Sequence, residues 1–376
     1  MQKPIRYYSI WLLLLALLSS CHLNSTRAVT DNDMKNDAFI IHRGVNISHW
    51  LSQSQRRGEE RAAFFTEKDI EYIASLGYDH IRLPLDEMHL WNENGQKDTA
   101  AFCLLHKAIA WCEKHKLRIV ADLHVVRSHY FNASYNPLWD EEEERDKFVG
   151  FWKQLSAELR RYPNDLLAYE LLNEPVAHQS EDWNSLIRKS LATIRECEPR
   201  RTVVIGSNKW QSVDTFSKLD IPENDQYIIL SFHFYSPHVF THYQAPWSKK
   251  VGYYKGPVHY PGHPLKENYL LDYDSAQVAQ LMEDDGFYNK IFFLERLKQP
   301  LSIAEKYGLR LYCGEFGCFP TTPLEDRVAW YSDLTEVFEQ YGIAWANWDY
   351  KGSFGIIERE TMVPRTEIIN ALLNNE

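Results

Sequence analysis

The chain has 376 residues, 44% hydrophobic and 25% charged, enough to bury a large core as a soluble domain. It is longer than an average domain, but an α/β barrel of about 250 residues or more folds as one unit. With 41 basic against 52 acidic side chains, a formal net charge of −11 and no cluster of Lys and Arg, it excludes a nucleic-acid partner.

The first 20 residues read as an export signal. Lys3 and Arg6 supply a positive start, and the apolar run at 10–18 is too short to span a bilayer. Leu18-Ser19-Ser20-Cys21 resembles a bacterial lipobox, in which the cysteine becomes the lipidated first residue. The expectation is a signal peptide at 1–20, a lipidated tether at 21–38 and a folded domain at 39–376. His22 is not Asp, so the outer membrane is the expected destination, with attachment through the lipid alone. The remaining cysteines, Cys103, Cys112, Cys197, Cys313 and Cys318, are odd in number and scattered, which is no disulfide framework.

From Phe39 onward a unit repeats: a short β-branched run, a polar or aromatic loop, then an amphipathic stretch. The predicted strands are 39–46, 78–84, 117–124, 166–174, 202–208, 227–235, 309–316 and 343–350. The first helix between them is capped by Thr66, with Asp69 three residues on, and stopped by Gly77. Further helices are predicted at 99–116, 142–161, 182–197, 285–307, 324–341 and 366–374. The acidic run Asp140 to Glu144 suits a solvated first turn, where carboxylates favour the positive end of the helix dipole. The fifth crossover, near Asp214, is the weakest. Eight buried runs alternating with helices imply parallel strands closed into a single-domain (β/α)8 TIM barrel. An open doubly wound sheet is the alternative, but no Gly-rich phosphate turn follows the first strand.

Barrel sites form at the C-terminal ends of the strands. The runs end in Asn46, Arg82, His124, Asn173-Glu174, Asn208, His233 with Tyr235, Glu315 and Trp348. Polar groups at nearly every end of otherwise apolar strands point to one shared site, although Asn208 alone reads equally well as a loop cap. Cleavage of a glycosidic bond with retention needs two carboxyl groups about 5–5.5 Å apart. Glu174 and Glu315, at the ends of the fourth and seventh strands, lie across the mouth and fit that need. Arg82, His233 and Tyr235 supply charge and hydrogen bonds that separate a protonated acid from an ionised partner. Asn173 is placed to hold a sugar 2-hydroxyl.

ELLNEP (170–175) and CGEFG (313–317) resemble the two signatures of glycoside hydrolase family 5, the cellulase family. RGVNISHW (43–50), IRLP (81–84), DLH (122–124), SFHFYSP (231–237) and WANWDYKG (345–352) are similar in the same order, so the likeness runs from about Gly44 to Gly352. The resemblance implies a retaining hydrolase of β-1,4-glucan, with Glu174 as acid/base and Glu315 as nucleophile. It implies that Arg82 and Tyr235 position Glu315, that His124, Asn173 and His233 line the cleavage subsite, and that Trp348 stacks under the sugar. It implies neither cofactor nor metal, and a monomer is expected. Mannan, xyloglucan and exo action on glucosides stay open within the family. One departure is Val125, where many members carry a second His, and this puts the local hydrogen bonding in doubt.

The loop after the sixth strand, Ser236 to about Asp274, holds Phe240, Tyr243, Trp247, Tyr253, Tyr254, Tyr260 and Tyr269. It is expected to wall the cleft, with Trp247 binding substrate, unless it packs on itself. Tyr130, Phe131, Tyr135 and Trp139 on the third loop are the candidate facing wall. Two other classes remain: a carbohydrate-binding protein without catalysis, and a metal-dependent hydrolase using Asp122, His124 and His233. The first strand lacks the His-x-His that such metal sites often use.

Overall fold

Strands and helices alternate along the chain because apolar runs of period two and period 3.6 alternate along it. The structure, a computed structural model, describes residues 38–283 and 285–373. The signal peptide, Cys21 and the tether through residue 37 lie outside the described residues. Eight strands pair in parallel and in chain order into a closed barrel. They are β1 (Arg43–Asn46), β2 (His80–Asp86), β3 (Arg118–Val125), β4 (Leu167–Glu170), β5 (Val203–Gly206), β6 (Ile228–Phe234), β7 (Arg310–Phe316) and β8 (Ala344–Asn347).

Several strands end earlier than their apolar runs. The fourth was expected to reach Glu174 but stops at Glu170, and the fifth and eighth stop at Gly206 and Asn347. The chain there leaves the ladder while staying buried, so periodicity alone does not mark the exit.

The helices Glu67–Ser75, Thr99–Lys114, Glu142–Leu159, Ser180–Cys197, Lys290–Tyr307, Leu324–Gln340 and Thr366–Leu373 lie where expected. A capping box joins Thr66 and Asp69, as their spacing predicts. The helix expected from residue 285 begins at Lys290, because the Asn289 side chain caps the Phe292 N–H at 2.9 Å. The fifth crossover holds only a short turn at Asn208–Gln211 and a 3-10 helix at Val213–Lys218.

Two apolar layers hold the barrel. Inside it, Val120, Ala168, Val204, Ile229, Tyr312 and Ala346 meet, joined by Phe39 and Ile41. Ile81, Leu83, Ile119, Leu123, Leu167, Val203, Ile205 and Leu230 belong to the second layer, with the helices. Burying each Val, Leu or Ile among them contributes about 1.5–3 kcal/mol. Side chains alternate across a strand, so the inward parity of Val120 and Ala168 continues to Asp122, His124 and Glu170. In β7 the parity changes. A register shift places Glu315 opposite His233, directly after Phe232 paired with Cys313, so one extra residue of β7 is taken up at Gly314. Gly314 suits that place, since a Cβ there would sit 3.1 Å from both His233 Nε2 and Ser231 Oγ. The shift is what turns Glu315 into the barrel.

Candidate active site

Arg82 is the centre of the barrel mouth and is fully buried. Its Nη1 donates to Glu315 Oε1 at 2.7 Å and to Asn46 Oδ1 at 2.9 Å. Its Nη2 donates to Asn173 Oδ1 at 2.8 Å and lies 3.0 Å from Asp122 Oδ2. Nε and Nη2 together grip Glu170, at 2.6 and 3.0 Å. Burial pulls the guanidinium pKa down, but the carboxylates of Asp122, Glu170 and Glu315 more than reverse this, so it stays charged. Removing one partner of such a buried set costs about 3–5 kcal/mol, because the others are left uncompensated.

Asn46 is a support. Its Nδ2 donates to the carbonyls of Gly314, Ala346 and Asn347, which ties β1 to β7 and β8 while its oxygen holds Arg82. Asn173 also turns its oxygen to Arg82, and its buried Nδ2 has no partner among the described residues. An orphaned donor at this point is available to a sugar hydroxyl.

Glu174 stands beyond the end of β4, on backbone with φ of 46°. Its Oε1 is 2.9 Å from His233 Nδ1, and that nitrogen is 3.7 Å from Glu315 Oε2. One oxygen of each glutamate and one nitrogen of His233 lie within 4.8 Å of one another. That separation fits the short spacing of retaining enzymes and falls short of the roughly 6.5–9.5 Å that leaves room for a water in inverting ones. Burial, then the charge of Glu315, pushes the Glu174 carboxyl well above the usual range. Burial also raises Glu315, but Arg82 opposes the rise, and the Tyr235 hydroxyl donates to Glu315 Oε2 at 3.0 Å. The two carboxyls therefore differ: the one bonded to Arg82 ionises first, and the other keeps its proton. The Tyr235 phenol stays protonated, since burial and the charge of Glu315 raise its pKa.

The two histidines are neutral. Burial lowers the pKa of His124 to about 4, and burial with Arg82 and His124 nearby takes that of His233 well below the usual value. His124 Nδ1–H donates to Asp122 Oδ2 at 2.7 Å, which leaves Nε2 to accept from Gln53 at 3.0 Å. Burial pushes Asp122 up to about 7. Beside Val125, both ring nitrogens of His124 are therefore bonded, one to Asp122 and one to Gln53. Trp348 follows β8 directly and stacks on His124, with ring centroids 5.5 Å apart and planes at 8°.

Three expectations are corrected. Asn208 does not face the mouth, since its side chain accepts from Ala177 N and donates to Ala177 O. The loop after β6 packs mainly on itself: Phe240, Tyr243, Tyr254 and Tyr260 are buried, with their rings tilted or edge to face, and of its aromatic residues Trp247 and Tyr269 are well exposed. Trp247 lies against Phe319 and Phe354, and Phe354 in turn meets Tyr235, so this ring remains on the border of the site. On the third loop Trp139 is buried against His129 and Trp183, whereas Tyr130 and Tyr135 are exposed.

Asp122, Glu170, Gln53 and Gln211 complete the site without having been assigned a part in it, apart from Asp122 as a metal ligand. Asp122 bonds His124 and Arg82, and His124 bonds Asp122 and Gln53, instead of converging with His233. Among the described residues, the side chains grouped closely enough to hold a metal are Glu174, His233 and Glu315 themselves.

Residues 42–353 match cellulase, glycosyl hydrolase family 5. Endoglucanase C of Acetivibrio thermocellus is 34% identical over 88% of this chain and 97% of its own length. Cellodextrinase A of Ruminococcus flavefaciens is 29% identical over 81% of this chain and 84% of its own. Among solved structures, cellulose synthase subunit Z of Clostridioides difficile superposes with a TM-score of 0.72 at 24% identity, covering 89% of this chain and 99% of that one. Thermotoga maritima Cel5A, solved with mannotriose, gives 0.71 at 22%, covering 90% and 99%. These structural likenesses carry the fold, and the match along 42–353 carries the family: this chain belongs to glycosyl hydrolase family 5, the cellulases.

Proposed function

We propose that the chain is a retaining endo-β-1,4-glucanase in which Glu315 is the nucleophile and Glu174 the general acid, then base. The observation that carries this reading is the pair of buried carboxyls within 4.8 Å, one bonded to Arg82 and Tyr235, the other to a neutral histidine. In the first step Glu315 attacks the anomeric carbon as the bond to the leaving oxygen breaks, and the Glu174 proton passes to that oxygen. Arg82 and Tyr235 hold the attacking carboxylate, and the free amide of Asn173 is placed for the 2-hydroxyl. In the second step a water gives its proton to Glu174 and its oxygen to the anomeric carbon, and Glu315 leaves as carboxylate. A purely binding protein has no use for two carboxyls held in different protonation states.

The glucan assignment draws on the relatives' names. Its test is product profiling on β-1,4-glucan, mixed-linkage glucan, xyloglucan and mannan, with internal cleavage of β-1,4-glucan expected to be fastest. A faster reaction on mannan, or release of glucose from chain ends only, would replace the substrate and leave the chemistry standing. Trp247 is placed to stack on a sugar away from the bond cleaved. Trp247→Ala is expected to raise KM on the polymer roughly five-fold, for a loss of ~1 kcal/mol, at nearly constant kcat. Unchanged kinetics would make this ring part of the loop's own packing.

We infer further from the lipobox-like segment that the mature protein is an exported lipoprotein, held to the outer membrane through Cys21. Cys21→Ala is expected to move the protein from the membrane fraction to the soluble one. A wild-type protein that is already soluble after processing would contradict this.

A further inference from the structure

The loop after β5 takes an unusual path. Lys209, Trp210 and Gln211 all have positive φ, 58°, 61° and 51°, and none is glycine. Side chains resist this conformation, so three in succession persist only where surrounding contacts hold them. Those contacts go to the segment that carries Glu174. Trp210 N donates to Pro175 O at 3.2 Å, Lys209 Nζ to Ala177 O at 2.7 Å, and the Asn208 amide bonds both N and O of Ala177. The Trp210 ring nitrogen reaches the third loop and donates to Phe131 O at 3.0 Å.

Gln211 lies at the inner end of this run and is fully buried. Its Oε1 accepts the Glu174 N–H at 3.2 Å, and its Nε2 donates to Glu170 Oε1 at 3.1 Å. Glu170 is the carboxylate gripped by Arg82. One amide thus ties the backbone of Glu174, itself at positive φ, to the network that holds Glu315. The residue type is required. A carboxylate in place of the amide would face Glu170 with like charge, and an apolar side chain would leave the Glu174 N–H buried without an acceptor. Gly206 on β5 provides the space, since a Cβ there would lie 2.4 Å from Gln211 Nε2 and 2.5 Å from its Cγ.

We propose that Gln211 is a positioning residue for the general acid: the loop after β5 is a clamp on residues 174–177, and Gln211 sets where the Glu174 carboxyl stands relative to the leaving oxygen. The proposal rests on the acid/base role of Glu174. Gln211→Met keeps the length and removes both hydrogen bonds. Gly206→Ala displaces the same side chain by steric contact and leaves the amide chemically intact.

The test is kcat/KM, which reports the first, bond-breaking step, on aryl cellobiosides whose leaving groups range from dinitrophenol to phenol, with thermal unfolding measured alongside. Both variants are expected to lose roughly 10²-fold on the phenyl substrate, the order expected of a small misplacement of a reacting group, and to stay within a few-fold of wild type on the dinitrophenyl one. A loss equal across all leaving groups, with or without a lower Tm, makes Gln211 merely structural and overturns the proposal, as does no loss at all. Glu174→Ala is run in parallel. If its own loss does not depend on the leaving group, the role of Glu174 fails. If it does while the Gln211 and Gly206 variants lose activity uniformly or not at all, only the positioning role fails.

Discussion

Glu315→Ala is expected to lower kcat/KM by about 10⁵-fold or more on every substrate, good and poor leaving groups alike, the order reached when a covalent nucleophile is deleted. The uniformity is the informative part. Without Glu315 no glycosyl-enzyme forms, and protonating the leaving oxygen does not help a reaction that lacks its attacking atom. The site keeps its shape only in part, because Arg82 then has one fewer buried carboxylate and Tyr235 loses the acceptor of its hydroxyl. Unfolding midpoints measured on the same preparation separate this from gross misfolding. With the side chain gone there is room on that face, and azide is expected to yield a glycosyl azide of inverted configuration. Activity within ten-fold of wild type would remove Glu315 from the mechanism.

Glu174→Ala is expected to behave differently. Poor leaving groups are predicted to lose about 10²–10⁴-fold, the range that general acid catalysis contributes. A dinitrophenyl glycoside needs no proton to depart, so it keeps much of its first-step rate and then stalls at the intermediate. Azide attacks without a general base and restores turnover with retained configuration. The pH dependence follows from the environments of the two carboxyls. Activity falls as pH drops through the pKa of Glu315, because the nucleophile must be ionised. It falls again as pH rises through the higher pKa of Glu174, because the acid must hold its proton. The alkaline limb is expected to vanish in Glu174→Ala, and its persistence at the same pH would assign that limb to another group.

The eight strand runs and the ends that converge on the mouth were legible because burial writes its period directly into sequence. Arg82, Glu174, His233, Tyr235 and Glu315 were legible because polar groups at the ends of apolar runs have no other common explanation. Asp122 and Glu170 share the inward parity of His124 and Ala168, yet a carboxylate inside a strand signals a partner without naming it, and the partner is Arg82 on another strand. The loop after β6 misled because an aromatic residue in a polar loop reads alike whether it is exposed or packed: Tyr254 is buried and Trp247 exposed. The path of 209–211 left no trace, since left-handed backbone is usually announced by Gly or Asn, and here Lys, Trp and Gln adopt it under tertiary contacts. The turn of Glu315 into the barrel was equally hidden, because it depends on a register shift against β6.

The configuration of the first-formed product reports directly whether the two carboxyls act by double displacement. Proton NMR during hydrolysis of a β-linked cello-oligosaccharide by the wild-type enzyme is predicted to show the β-anomer of the new reducing end first, with the α-anomer growing only at the rate of mutarotation. Initial appearance of the α-anomer would mean single displacement by water, and would contradict the assignment of Glu315 as nucleophile.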